Sequence, residues 1–268
     1  MGTKHVLSIF CFLPLTLLAQ QENWDVYLAQ YEKGTGSTLI NMSAKEYAPN
    51  KQLPFVLITG VTFNNCNMDG MPAKEQFTDL YQISDSIKAA LDRKVVNASV
   101  ATFTYQCQRF DYYYVKDTIG LREFLLTIYS QYFSSYKPYF NLKEDKSWQA
   151  YLTFLYPNDE TLEFMRNQKV LEKLKEAGDK LEKARQIDHW IYFATETDQN
   201  CFINYITKLK FKIESKEKTK DSKTPYKLQF SRVDKIDLSA ISKITLYLRA
   251  QAQKCHADYD GWETAVVK

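Results

Sequence analysis

A dominant charge is what this sequence most clearly lacks. Its 268 residues carry 35 Lys and Arg against 32 Asp and Glu, a net charge of +3. So small an excess argues against a polyanionic partner such as nucleic acid. Long apolar runs are equally scarce. Beyond Ala19 no segment approaches the ~20 residues a spanning helix needs. Histidine is rare, with three in the chain, and no HxxxH, HxH or HExxH spacing brings two together. No CxxC occurs, which excludes a redox or zinc site of that type. GxSxG, Walker and Cys–His nucleophile patterns are missing too. No catalytic, cofactor-binding or metal-ligating residue is therefore assigned.

What is present begins at the N-terminus. Lys4 and His5 precede the apolar stretch Val6 to Leu18, closed by Ala19. A short charged region, an apolar core and a small residue read as a secretory signal peptide over 1–19, cleaved after Ala19. Phe10 stands where a lipoprotein cysteine needs a small neighbour, so Cys11 is not read as one. Export leaves Cys66, Cys107, Cys201 and Cys255. An even number in an oxidising compartment favours disulfides. Of the three possible pairings, two cysteines in each half favour Cys66–Cys107 and Cys201–Cys255.

The aromatic content is high, with 19 Tyr and 16 Phe. The first half, 20–158, reads as an α+β domain. Trp24 to Tyr31 and Thr38 to Met42 are strands about a turn at Gly34–Ser37. Phe55 to Phe63 is a β-branched run suited to a buried strand. Leu80, Ile83, Ile87 and Leu91 recur at helical spacing. Val95 to Val115 is strand-forming, with Phe103, Tyr105, Cys107 and Arg109 on one face and a tip near Asp111. A second helix runs from Ile119 to Phe133, and Trp148 to Leu155 reads as a closing strand. These parts predict a sandwich of one sheet with helices.

Asn158 or Asp159 caps a helix that Gly178 ends. Asp179 and Glu182 suggest a further short helix. The second domain is placed at 165–268, and His189 to Phe193 is its first strand. A helix capped by Thr197 or Asp198 follows, then strands at Phe211–Ser215 and Tyr226–Val233, a helix capped by Asp237, and a last strand at Trp262. The order is βαββαβ, the ferredoxin-like arrangement. Cys201 near the start of the first helix and Cys255 at the end of the second then fall at one end of the sheet.

Two landmark sets carry resemblances. Trp24 through Tyr31, Gly34 to Ser37, Pro54 to Phe63 and Gly70-Met71-Pro72 resemble a bacterial domain of unknown function, number 695. Gly178-Asp179, Leu181, Arg185, His189 to Phe193 and Tyr259-Asp260-Gly261-Trp262-Glu263 resemble the RraB-like family, named for a regulator of ribonuclease E. The first resemblance implies no activity. The second implies a non-enzymatic role, binding an endoribonuclease. Export and slight positive charge depart from what masking a basic RNA-binding surface in the cytoplasm requires. The leading expectation is an exported, non-catalytic protein-binding module working through an exposed sheet face or the groove between domains. A ribonuclease inhibitor comes second, and a hydrolase with an unfamiliar site third.

Four groups of residues invite a functional reading. His189, Trp190, Tyr259, Asp260, Trp262 and Glu263 form a candidate binding corner with the indole as anchor. The competing and preferred reading is that Gly261 makes a turn and Trp262 packs. His189 and His256 with nearby acids hint at a metal or acid–base cluster, but their expected positions set them apart. The seven lysines between Lys210 and Lys227, mixed with acids, read as a solvated hairpin. Tyr112-Tyr113-Tyr114 cannot share one face of a strand.

Overall fold

The computed structural model describes residues 22–221 and 223–268. The signal peptide expected over 1–19 and Cys11 lie outside them. The chain divides into two compact units, one running to Leu155 without Tyr27–Ala29 and the other made of those three residues and Tyr156–Lys268. No described helix is long and apolar enough to cross a membrane.

The first unit is built on a six-stranded sheet. Its strands are β1 (Trp24–Tyr31), β2 (Gly34–Asn41), β3 (Phe55–Thr62), β4 (Asn97–Tyr105), β5 (Gln108–Val115) and β6 (Lys137–Glu144), in the order β1-β2-β4-β5-β3-β6. Helices α1 (Gln76–Lys94) and α2 (Leu121–Tyr132) cover one face. Leu80, Ile83, Ile87 and Leu91 point down from α1 onto Leu57, Val61 and Tyr113, and Leu125 and Tyr129 do so from α2. Burying one such side chain contributes about 1.5–3 kcal/mol.

Several local readings need correction. The β1–β2 turn is Glu32-Lys33, and Gly34 to Ser37 already belong to β2. The β4–β5 turn is Gln106-Cys107, both at positive φ, the backbone of a two-residue hairpin. This register pairs Phe103 with Phe110 and Thr104 with Arg109, so Arg109 lies on the face opposite Phe103 and Tyr105. Asp111 is no tip: it is buried within β5 and accepts from Thr102 at 2.6 Å. Tyr113 faces the helices, while Tyr112 and Tyr114 face the other way.

Trp148 to Leu155 is not a strand. Asp145 accepts from the backbone N–H groups of Gln149 and Ala150 at 2.9 Å each, and a helical turn over Ala150–Leu155 follows. Trp148 stacks on Tyr114 at 3.8 Å and donates to the Leu53 carbonyl at 3.0 Å. The strand that closes the sheet is β6, whose Pro138 sits on the outer edge, where a missing N–H costs nothing. Gly60 of β3 lies against β5 so closely that a Cβ there would meet the Arg109 carbonyl oxygen at 2.0 Å.

The second unit opens with α3 (Asp159–Glu176), capped by the Asn158 side chain on the Thr161 N–H at 2.8 Å. After it come β7 (Arg185–Phe193), α4 (Glu196–Lys208), β8 (Lys212–Lys218), β9 (Tyr226–Asp234), α5 (Leu238–Lys254) and β10 (Asp258–Glu263). From β7 onward the order is βαββαβ. The strands lie β10-β7-β9-β8, every neighbouring pair antiparallel. The α4 cap is Thr195, not Thr197 or Asp198. No helix follows Asp179: that carboxylate instead pairs with Arg185 through both oxygens and accepts from the Val267 N–H at 2.8 Å. Arg185 in turn donates to the Ala265 carbonyl at 3.1 Å.

The cysteines pair within each unit, Cys66 with Cys107 and Cys201 with Cys255, at Cα separations of 5.7 and 5.8 Å. The first bond ties the loop after β3 to the β4–β5 turn. The second joins α4 to the end of α5.

Candidate functional site: the last two strands of the second unit

Strand alternation sorts the corner residues into two sets. On β7 the odd positions Ile187, His189, Ile191 and Phe193 are buried, and the even positions Asp188, Trp190 and Tyr192 are half-buried. All three helices pack on the odd face: Phe202 and Ile206 from α4, Leu248 from α5, Leu171 and Leu174 from α3.

His189 lies in the middle of β7 rather than at its start, fully buried. Its ring stacks on Phe230 and meets Phe211 edge-on, and its Nδ1 is 2.6 Å from the Tyr259 hydroxyl. The Nε2 atom has no hydrogen-bond partner among the described residues. Burial disfavours the imidazolium and pushes the pKa down to about 3, with the Arg232 charge adding to the effect. Burial likewise raises the Tyr259 phenol well above its ordinary value. Neither ring is placed to exchange protons with a bound molecule.

Trp262 also belongs to the core. Its indole N–H donates to Asn167 of α3 at 2.7 Å, and Asn167 donates to Ser242 and Thr245 of α5 at 3.0 and 2.9 Å. This satisfied buried network joins β10 to two helices. It answers why the Gly261-Trp262 pair is there: Gly261 takes φ 154° at a bulge in the β10–β7 register, which carries Trp262 inward.

Trp190, Asp260 and Glu263 remain. Trp190 is opposite Gly261, where an added Cβ would meet nothing within 4 Å, so no side chain flanks the indole there. Asp188, next to it on the same face, accepts from Gln186 at 3.1 Å and from Gln229 at 3.4 Å, and pairs in register with Glu263. Asp260 borders a cleft of about 450 Å³ that also takes in Tyr192, Arg166, Arg249, His256 and Asp258.

The arginines of that cleft were missed in the sequence. Arg249 donates to buried Glu163 at 2.9 Å and to Asp258 at 2.7 Å, and Arg166 reaches Glu163 at 3.3 Å. Glu163 and Arg166 share a face of α3, but nothing local announces that Arg249 of α5 meets them. His256 lies 3.1 Å from Asp198, away from His189. Among the described residues no group of three or more His, Cys, Asp or Glu side chains is placed to hold a metal ion. The lysine-rich segment flanks the β8–β9 hairpin, where Lys212 pairs with Glu214 at 2.8 Å and Lys227 with Glu217 at 3.7 Å.

The second unit is thus a four-stranded antiparallel sheet with its helices on one face and Trp190 on the other. Residues 165–264, which contain it, match the family described as regulator of ribonuclease activity B. Residues 22–156 match the family of unknown function DUF695. That match spans half the chain, and the protein belongs to the DUF695 family. No curated protein matches it.

Proposed function

We propose that this is an exported, non-catalytic binding protein whose second unit engages a protein partner through the face of its sheet that its own helices leave uncovered. The observation that carries the reading is the division along β7 and β10. The groups suited to acid–base work, His189 and Tyr259, are sealed in the core. Trp190 and Tyr192 stand on the other face among Asp188, Lys227 and Gln229. Large aromatics ringed by polar groups are the usual anchors of protein interfaces. Two disulfides and a signal-like N-terminus support export.

A photocrosslinker at Gln229 tests this directly. The expected result is one defined adduct in the extracytoplasmic fraction, lost with Trp190→Ala while the thermal transition is retained. An adduct indifferent to Trp190→Ala would remove that face from the interface.

A second reading is regulation of a ribonuclease. The RraB match supports it, and so does local charge: Asp188 and Glu263 are register partners beside Trp190, and Asp260 is exposed nearby. Such a patch suits a basic partner surface despite the net charge of +3. Titrating the purified protein against an endoribonuclease from the same cells decides it. Inhibition that saturates and weakens with Asp188→Lys supports regulation, and unaltered RNA cleavage rejects it.

A further inference from the structure

The first unit holds a concavity unrelated to the sheet face above. α1 and α2 pack onto the sheet and splay above it, leaving a trough of about 960 Å³ between them. Ala90, Phe124, Ile128 and Phe133 line it. The last three pack one side against the core and turn the other to the trough. Small residues, Ser86 and Ala89, keep the α1 wall low. The lining runs from Gln82 to Lys94 along α1, about 18 Å at the helical rise. That is comparable to half the ~30 Å hydrocarbon core of a bilayer, the reach of one acyl chain.

The ends differ in charge. Gln82, Gln131 and Tyr132 are neutral, whereas Arg93 and Lys94 gather at the other end. Neither cation makes an ion pair among the described residues, and Lys94 sits 5.5 Å above the Phe124 ring. Glu123 shares that end, and Asp92 beside Arg93 is paired with Lys88 at 2.7 Å, which leaves one positive charge in excess. A trough one acyl chain long, with an apolar floor between polar rims and a positive end, is complementary to a molecule with an anionic head and a single tail.

We propose that the trough between α1 and α2 binds a single-chain anionic amphiphile of the long-chain carboxylate class, its head at Arg93 and Lys94 and its tail over Ala90, Ile128 and Phe133.

The test is calorimetric titration of the whole disulfide-bonded protein with palmitate, below the concentration at which palmitate self-associates. Hexadecyltrimethylammonium serves as the cationic comparator. Ala89→Trp fills the trough from an exposed helix position, and Arg93→Glu reverses the charge at its end. Both are surface changes, and an unchanged thermal transition verifies the fold. One palmitate per chain is expected to bind saturably, with affinity about tenfold lower or worse in each variant and for the cationic analogue. Absence of saturable one-to-one binding overturns the proposal. So does affinity that ignores Ala89→Trp, or that is equal for the two head groups.

Discussion

Mild acid, below about pH 6.5, should destabilise the second unit through His189. The unfolded imidazole titrates near 6.5, and burial pushes the folded value down to about 3. Between those limits the unfolded chain takes up a proton that the folded chain refuses. Stability is therefore unaffected above about pH 6.5 and falls as pH drops toward 3. The slope is about 1.4 kcal/mol per pH unit, or on the order of 2 kcal/mol lost by pH 5. Urea unfolding at pH 7.5, 6.5, 5.5 and 4.5, with both disulfides intact, measures it. His189→Gln supplies the comparison. It retains a polar group for the Tyr259 hydroxyl but cannot titrate, and all other acid-sensitive groups are common to both proteins. The variant is expected to be less stable at pH 7.5 yet to show a flatter dependence below pH 6.5. Parallel pH profiles would falsify the assignment of this acid sensitivity to His189.

Three further outcomes follow from the packing. Asn167→Ala removes the acceptor of the Trp262 indole and the donor to Ser242 and Thr245, and should cost roughly 2–4 kcal/mol in denaturant unfolding; a cost under about 0.5 kcal/mol would show the network to be idle. Asp179→Ala strands buried Arg185 without its carboxylate and should cost about 3–5 kcal/mol, measured the same way. Because hydrogen bonds from Arg185 hold the Asp179 carboxyl well below its ordinary range, this stabilisation is present above the unfolded-state pKa of about 3.9 and declines as pH falls below it. Gly60→Ala forces a Cβ into the Arg109 carbonyl and should cost about 3 kcal/mol or more, read as a lowered melting temperature of the first unit.

How far the sequence could be read depended on whether the signal was local. α1 is legible because its apolar positions follow one period and face one core, and β3 because a continuous β-branched run marks a strand buried on both faces. Trp148, Tyr151 and Leu155 were read as a strand, although their spacing of three and four is helical; β propensity outweighed period there. β6 escaped because only Phe140 and Leu142 of this edge strand pack on the core while its two ends are exposed, an alternation too short to read. Asp179 accepts locally from the Leu181 N–H at 2.8 Å, as a cap would, but it also binds Arg185 and the backbone of Val267, the latter 88 residues away. At the corner, the sequence reading groups Trp190 with His189, although neighbours on a strand point to opposite faces and β7 puts only His189 in the core. The Asn167 partner of Trp262 lies 95 residues off and gives no local sign. The even split of cysteines favoured the pairing that the structure has.

The Asp179–Arg185 clasp on Ala265 and Val267 also bears on how the protein is handled. Those contacts hold the last residues of the sequence as part of the folded unit rather than as a loose end. An affinity handle or reporter fused directly after Lys268 would pull on the clasp, and a carboxypeptidase that nibbled a few residues would loosen the fold it trims. Fusions belong instead ahead of β1, and resistance of Val266 to carboxypeptidase digestion offers a simple assay for intact folding.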